Sequence, residues 1–222
     1  MFAINHAATA LFIKRGFPEQ PIVPMLISVQ LMELLWVIFN LVGIERTTTE
    51  PAVRSVADIH LAFMPYSHSV AASFVLALLA WLICAALHRP WLGVALAIGV
   101  LSHLVLDLLT HARDIQIAPG IDSVKLGLGL YSAFPVGAFV FELVYGFLCW
   151  WIYKGGKALL AIILLFNIAN LSLLSPTVPG PESLLANRPA TIVLFILAQI
   201  VVTLFLVGIY SSRPLPTYLT GK

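Results

Sequence analysis

The chain has 222 residues, of which 60% are hydrophobic and only 10% charged, and its mean hydropathy is +1.00. A soluble domain carries about 25% charged residues, so this composition indicates an integral membrane protein. The net charge is only +2 and no Lys/Arg-rich run or DNA-binding motif is present, so nucleic acid is not an expected partner.

Apolar segments long enough to cross a membrane recur along the chain, since about 20 apolar residues cross a hydrocarbon core. The pattern predicts six spans, at 22–43, 67–88, 91–112, 132–153, 157–176 and 189–210. The expected fold class is therefore an all-α integral membrane protein with a bundle of about six transmembrane helices. It forms a single domain over 1–222, in which the functional site lies in about 1–145 and the last two spans occupy about 157–210.

Residues 2–13 form an additional apolar piece that is too short to span a membrane. This piece fits a short interfacial amphipathic helix. It also fits a half-helix that enters the bundle, and the sequence leaves both alternatives open. In the second case His6 lies inside the membrane and is close enough to reach Glu33.

Glu33 lies in the middle of the first predicted span. An unpaired carboxylate there is costly, so Glu33 needs a partner or a proton. It is predicted to be functional, and the alternative is a neutral acid hydrogen-bonded to Gln30 or another helix.

At the start of the second span, Ser67 is the predicted N-cap and places His68 in the first turn. A helix N-terminus favours neutral imidazole, the form that binds metal.

The segment 101–111 carries the strongest functional signal. His103, Asp107 and His111 are spaced four residues apart, so they project from one stripe of a helix. Imidazole and carboxylate are zinc ligands, and two ligands one turn apart can hold one ion. The alternative is a polar contact between helices. His111 falls at the predicted membrane edge, where it is expected to meet solvent or to orient its neighbours.

An α-helix rises about 1.5 Å per residue, and counting from the ends of the predicted spans places other polar residues near this stripe. Glu142, in the fourth span, is predicted at a depth similar to that of Glu33, as an outer-shell acid or a protonated one. Arg113 and Lys125 belong to the loop above the stripe and could receive an anionic head group. A plain interfacial loop is the alternative for these two residues.

Lys and Arg near the span ends predict the orientation. With six spans, the richer face carries Lys14, Arg15, Arg89, Lys154, Lys157, Arg213 and Lys222. The other face carries five basic residues and most of the acidic ones. The positive-inside rule therefore predicts that both termini are cytoplasmic, with the loops 44–66 and 113–131 facing outward.

Several stretches resemble a bacterial family of inner-membrane metal-dependent hydrolase-like proteins. The resemblance covers about residues 5–145 and rests on QLMELLW, GIE, MPYSHS, SHLVLDLLTH and KLGLGLY. It implies a multi-pass protein of the bacterial inner membrane. It also implies a metal-ligand set of His6, Glu33, His68, His103 and Asp107. Glu33 stands where the family more often has Asp, and Phe63 stands where it has His.

The function expected first is a membrane-embedded metal-dependent hydrolase with zinc as its cofactor. Its substrate would be a lipid or lipid-linked ester or phosphoester near the outer leaflet, and Glu33 would be a further ligand or the general base. One alternative is a small proton-coupled transporter or permease that uses Glu33, His103, Asp107 and Glu142 as a relay. Another is a non-catalytic accessory subunit whose polar residues serve helix packing. The number of ions and the oligomeric state stay open.

Overall fold

The structure is a computed structural model that describes residues 1–121, 124–175, 177–178 and 180–211. The helices in these residues are α1 (Ala3–Gly16), α2 (Ile22–Ser28), α3 (Leu31–Leu41), α4 (Pro65–His68), α5 (Val70–Ala86), α6 (Pro90–Thr110), α7 (Leu130–Ala133), α8 (Pro135–Tyr153), α9 (Lys157–Ala169) and α10 (Pro189–Ser211). The strands are β1 (Arg46–Thr49), β2 (Ile59–Phe63), β3 (Ile115–Gln116) and β4 (Lys125–Leu126). The chain is thus mostly helical, as predicted, but the all-α prediction omitted two small strand pairs.

Each of the six predicted spans contains helix, but their number is confirmed only in part. Among the described residues, α6, α8 and α10 are long and apolar enough to cross a membrane. α2 and α3 meet the same criterion only as a pair, which is bent by 51° at its break. α5 and α9 are apolar but have only 17 and 13 residues. Length and composition therefore support three spans, or four with the bent pair.

Local capping explains why two helices are shorter than predicted. Ser69, not Ser67, caps α5, because the Ser69 side chain accepts a hydrogen bond from the backbone N–H of Ala72 at 3.1 Å. The Ser67 prediction was therefore wrong by two residues. α9 ends at Ala169, and the amide of Asn170 then turns back to donate to a carbonyl of the last helical turn at 2.8 Å.

α1 lies inside the bundle, where it packs against α6, α8 and α10. The side chains of Ile4, Ala7, Ala8 and Leu11 are at most 1% exposed. Small alanine side chains let neighbouring helices approach closely. Of the two alternatives for residues 2–13, the structure therefore has a helix enclosed by its neighbours, not one lying on the surface.

The strand pairs and the long loops gather at one end of the helices. β1 pairs with β2 and β3 with β4, both antiparallel. The loop after α6 meets the start of α5, where the N–H of Ala71 donates to the carbonyl of Ile117 at 2.9 Å. The loop before α10 meets β1, where the N–H of Asn187 donates to Thr49 Oγ1 at 3.0 Å. These loops cover the end of the bundle at which α6 finishes.

Candidate metal centre

Four side chains from three helices converge near this end: Glu33 of α3, His68 of α4, and His103 and Asp107 of α6. One ligand atom of each lies within 4.8 Å of those of the other three. His68 Nε2 is 3.1 Å from Glu33 Oε2, and His103 Nε2 is 3.0 Å from Asp107 Oδ2. The distance from His68 Nε2 to Asp107 Oδ2 and the distance from His103 Nε2 to Glu33 Oε2 are both 3.6 Å. We call this group the four-residue centre.

The helices deliver these side chains for identifiable reasons. His103 and Asp107 are one turn apart on α6, so they share a face, as the spacing predicts. The break between α2 and α3 places Glu33 in the first turn of α3. Free backbone N–H groups and the helix dipole favour a carboxylate at that position. The break that bends the first predicted span thus also favours a negatively charged Glu33.

The tautomer of His68 is fixed by two buried neighbours. Glu45 accepts hydrogen bonds from the backbone N–H groups of Tyr66 and Ser67, at 2.9 and 2.8 Å. It also accepts a hydrogen bond from the Ser67 hydroxyl at 2.6 Å. Because that hydroxyl has a single proton, Ser67 accepts from His68 Nδ1–H at 2.8 Å. The neutral His68 ring therefore presents a bare Nε2 to the centre.

His103 is oriented in the same way by the backbone. Its Nδ1 lies 2.7 Å from the carbonyl oxygen of Val29, which can only accept, so Nδ1 carries the proton. His103 Nε2 and Asp107 Oδ2 are buried and have no hydrogen-bond partner among the described residues. Two bare imidazole nitrogens thus face two carboxylates, and only a positive charge between them, a proton or a metal ion, makes this arrangement favourable.

The donor atoms of the centre could bind a divalent metal ion, and their spacing can be compared with that of a tetrahedral zinc site. Zinc bonds of about 2.0–2.1 Å in a tetrahedron put neighbouring ligand atoms about 3.3–3.4 Å apart. Four of the six distances between the ligand atoms, those between a histidine and a carboxylate, run from 3.0 to 3.6 Å and bracket that value, and the other two are at most 4.8 Å. His68, His103 and Asp107 are at most 1% exposed, whereas the Glu33 side chain is 20% exposed. Glu33 is therefore the member of the centre that meets solvent.

His6 and His111 lie on the other side of Asp107. The His6 ring stacks on His103 with centroids 3.8 Å apart, and His6 Nε2 is 3.3 Å from Asp107 Oδ1. His111 Nε2 is 3.6 Å from the same oxygen. His6 was predicted to reach Glu33, but in the structure it lies against Asp107. Among the predicted ligands, His6 therefore faces Asp107 Oδ1, whereas His68 and His103 face Asp107 Oδ2.

Glu142 lies outside the four-residue centre, in a buried network that anchors α1. It accepts a hydrogen bond from the backbone N–H of Phe2 at 3.1 Å, and from the Asn5 amide and the Tyr131 hydroxyl. Burial, and then the neighbouring Glu142 carboxylate, raise the pKa of Tyr131 well above its ordinary value, so the phenol stays protonated and donates. The Asn5 amide also donates to Asn167 at 2.9 Å. Glu142 thus holds the start of α1, which carries His6.

The residues that hold His68 and helix α1 in position were not predicted from the sequence. Glu45 and Ser67 act on His68, while Tyr131 and Asn167 act on α1 through Glu142 and Asn5. Glu45 and Tyr131 both stand in stretches that carry the family resemblance, GIE and KLGLGLY, and that was the available signal.

A cavity of about 410 Å³ adjoins the centre. Glu33, His6 and His111 form part of its polar lining, and Arg113 and Lys125 also line it. Apolar side chains, including those of Leu61, Leu173, Ile192 and Ile196, form other parts of the wall. The cavity therefore joins the solvent-facing carboxylate of the centre to both basic and apolar surface.

A family model described as YdjM inner membrane protein matches residues 60–178. The match covers more than half of the chain and includes His68, His103 and Asp107. No curated protein and no solved structure matches the chain. The family description gives a location, the inner membrane, and no reaction. On this match, the chain belongs to the YdjM inner membrane protein family.

Proposed function

We propose that the protein is a membrane-embedded metal-dependent hydrolase whose four-residue centre binds zinc. The observation that carries the proposal is the meeting of two bare imidazole nitrogens with two carboxylates at distances of 3.0–3.6 Å. Neutral imidazole and carboxylate are established zinc ligands. A structural polar contact would need a second proton on one of the histidines, because the Nδ1–H groups of both rings already donate to Ser67 and Val29 and a neutral ring has no proton left for Nε2.

A bound zinc ion would supply Lewis acidity, which would lower the pKa of its bound water toward about 7 and polarise an ester or phosphoester. His68, His103 and Asp107 are the proposed ligands, and their burial excludes competing water. Glu33 is the proposed further ligand or general base, because its carboxylate is both close to the histidines and partly exposed in the cavity. A base in that position takes a proton from attacking water and passes it to the leaving group.

The substrate class follows from the lining of the cavity. Arg113 and Lys125 offer positive charge to an anionic head group, and Leu173, Ile192 and Ile196 offer apolar surface to a chain. We propose a lipid or lipid-linked phosphoester, taken from the leaflet next to the loops. A carboxyl ester would use the same zinc but would leave the two basic residues without a role.

The number and the orientation of the membrane spans are part of the same proposal. One domain crosses the membrane six times, through α2 with α3, α5, α6, α8, α9 and α10, with the cavity facing outward and with Lys14, Arg15 and the end of α10 on the cytoplasmic side. The predicted cytoplasmic N-terminus does not fit this arrangement, because the Met1 amino group lies 2.7 Å from Asp107 Oδ1, near the outward end of α6. Support comes from the loops after α3, α6 and α9, which gather at one end. At the other end, the Tyr153 hydroxyl at the end of α8 donates to the Ser211 carbonyl at the end of α10 at 2.7 Å. Arg213 and Lys222, which contribute to the predicted orientation, lie outside the described residues.

The test measures metal content and hydrolysis on the full chain purified in detergent. We expect stoichiometric zinc in the wild-type protein and in His88→Asn, and none at the centre in His103→Ala. His88 is a matched control because it is exposed in the turn between α5 and α6 and has a φ of 59°, which asparagine tolerates. Mixed micelles containing phosphatidic acid are the substrate probe, since phosphate release reports phosphoester cleavage and fatty-acid release reports carboxyl-ester cleavage.

Two results would overturn the proposal. One is the absence of stoichiometric transition metal, and the other is an unchanged metal content in His103→Ala. Proton-coupled flux in liposomes without any metal requirement would favour the permease instead. Loss of stability in His103→Ala, with no separable activity in the wild type, would favour a purely structural cluster.

A further inference from the structure

We propose that the protein binds a second divalent cation at Asp107 Oδ1, through His6 and His111, so that Asp107 bridges two ions. This inference rests on the proposed function, because the first ion is the zinc of the four-residue centre. Asp107 Oδ2 faces His103 and His68, at 3.0 and 3.6 Å. Asp107 Oδ1 faces a different pair, His6 at 3.3 Å and His111 at 3.6 Å. The carboxylate therefore has a separate set of nitrogen donors at each oxygen.

His6 is held where it can serve this second site. Its side chain is 2% exposed, and the Glu142 network fixes the helix turn that carries it. Stacking on His103 sets the plane of the ring, and Nε2 then points toward Asp107 Oδ1. His6 also lines the cavity, and its buried Nδ1 has no hydrogen-bond partner among the described residues. The ring is thus fixed by packing, with one nitrogen near Asp107.

His111 approaches the same oxygen from the end of α6. It is the C-cap residue, in an extended conformation, and its backbone N–H donates to the Asp107 carbonyl at 2.8 Å. Its Nδ1 lies 3.6 Å from Asp114 Oδ1, an atom that has no hydrogen-bond partner in the described part of the chain. A carboxylate behind a histidine is the usual way to orient a metal-binding imidazole. At 15% exposure, His111 can be reached from the cavity.

Asp107 Oδ1 already attracts positive charge in the structure. The α-amino nitrogen of Met1 lies 2.7 Å from this oxygen and 3.0 Å from Thr110 Oγ1. The amino group and a second cation are therefore alternative partners of Oδ1. The two imidazoles beside the oxygen would give a metal ion two further ligands, whereas the ammonium group has Thr110 Oγ1 as its further acceptor.

A bridged pair of ions also suits the proposed substrate. Two-metal centres hold ions about 3.5–4 Å apart and stabilise both the attacking and the leaving oxygen of a phosphoester. His6 and His111 lie on the cavity side, so the second ion would meet the substrate there. The second site thus gives a role to two histidines that the four-residue centre does not use.

The experiment is zinc stoichiometry in the purified full chain, measured after loading with zinc and removal of free metal. We expect two ions per chain in the wild type and in His88→Asn, and one in His111→Ala. The X-ray absorption spectrum of the zinc-loaded wild type should show a metal–metal distance of about 3.5–4 Å that His111→Ala loses. His111 is partly exposed at a helix end, so this variant should fold, and its thermal unfolding in detergent checks that it does.

Each outcome separates the second site from the first. One ion in the wild type, whether retained or lost in His111→Ala, overturns the bridged pair and leaves the proposed hydrolase standing. Two ions that both survive in His111→Ala place the second ion elsewhere and also overturn it. No ion in the wild type overturns both proposals. A fall from two ions to one, with the metal–metal distance lost, supports the bridge.

Discussion

Replacing Ser67 by alanine should weaken zinc binding although Ser67 itself touches no metal ligand atom in the centre. The Ser67 hydroxyl donates to Glu45 and accepts from His68 Nδ1–H at 2.8 Å. In Ser67→Ala that N–H is buried without an acceptor. The other tautomer, with its proton on Nε2, then becomes competitive and directs that proton at Glu33. Zinc must displace this proton before it can bind.

The expected loss is about 10- to 100-fold in zinc affinity, the range found when outer-shell partners of metal-binding histidines are removed. That range corresponds to about 1.4–2.8 kcal/mol. Ser67 is fully buried, and Glu45 keeps two backbone donors in the variant, so the change acts chiefly on the His68 contact. Competition with a zinc chelator of known affinity measures the loss in the purified protein.

Ser69→Ala is the matched control for Ser67→Ala. Ser69 is equally buried and lies two residues away, but its hydroxyl caps α5 and does not contact His68. Losing the cap should cost about 0.5–2 kcal/mol of stability and leave zinc affinity unchanged. The reasoning is refuted if Ser67→Ala binds zinc within about twofold of the wild type, or if Ser69→Ala loses as much affinity as Ser67→Ala.

Three further predictions follow from the geometry. Glu142→Gln should lower the thermal unfolding temperature but keep zinc in the four-residue centre, because Glu142 bonds to α1 and not to that centre; metal analysis showing zinc loss at full stability would contradict this. Gly146→Ala should cost about 1–3 kcal/mol, because an added Cβ would lie 2.5 Å from Asn5 Oδ1, whereas Gly16→Ala, at the exposed end of α1, meets nothing within 4 Å and should be nearly neutral in the same unfolding assay. Inorganic phosphate should inhibit the hydrolysis competitively and should do so less in His111→Ala; equal inhibition of both proteins would argue against phosphate binding at the second ion.

The sequence predicted those parts of the centre that depend on one helix. His103 and Asp107 were paired from spacing alone, because helix geometry fixes side chains one turn apart. The meeting of His68 and Glu33 was implied only by the family resemblance and not by spacing, since it depends on the break before α3 and on the short helix α4. Depth along ideal spans brought Glu33 to about the right level, but it could not tell which oxygen or nitrogen faces which.

The main departures come from interactions across the bundle. His6 was expected near Glu33, but the Glu142 network holds the start of α1 next to Asp107. That network joins four parts of the chain, so no local pattern predicts it. The number of spans is confirmed only in part for a similar reason. Apolar composition alone does not show that Ser69 begins a helix inside an apolar stretch, or that Asn170 ends one.

Charge balance links the number of ions to the chemistry of the substrate. Glu33 and Asp107 bring two negative charges into the centre, and the histidines, with their protons on the outward Nδ1 atoms, bring none. One divalent cation would therefore balance the charge of these four side chains, with the Met1 ammonium group still beside Asp107 Oδ1. A second cation, bridged by Asp107, would leave a net charge of about +2 facing the cavity, because no further carboxylate is needed to hold it. Such a centre binds a phosphate dianion better than a neutral ester, and Arg113 and Lys125 extend the same preference along the cavity wall.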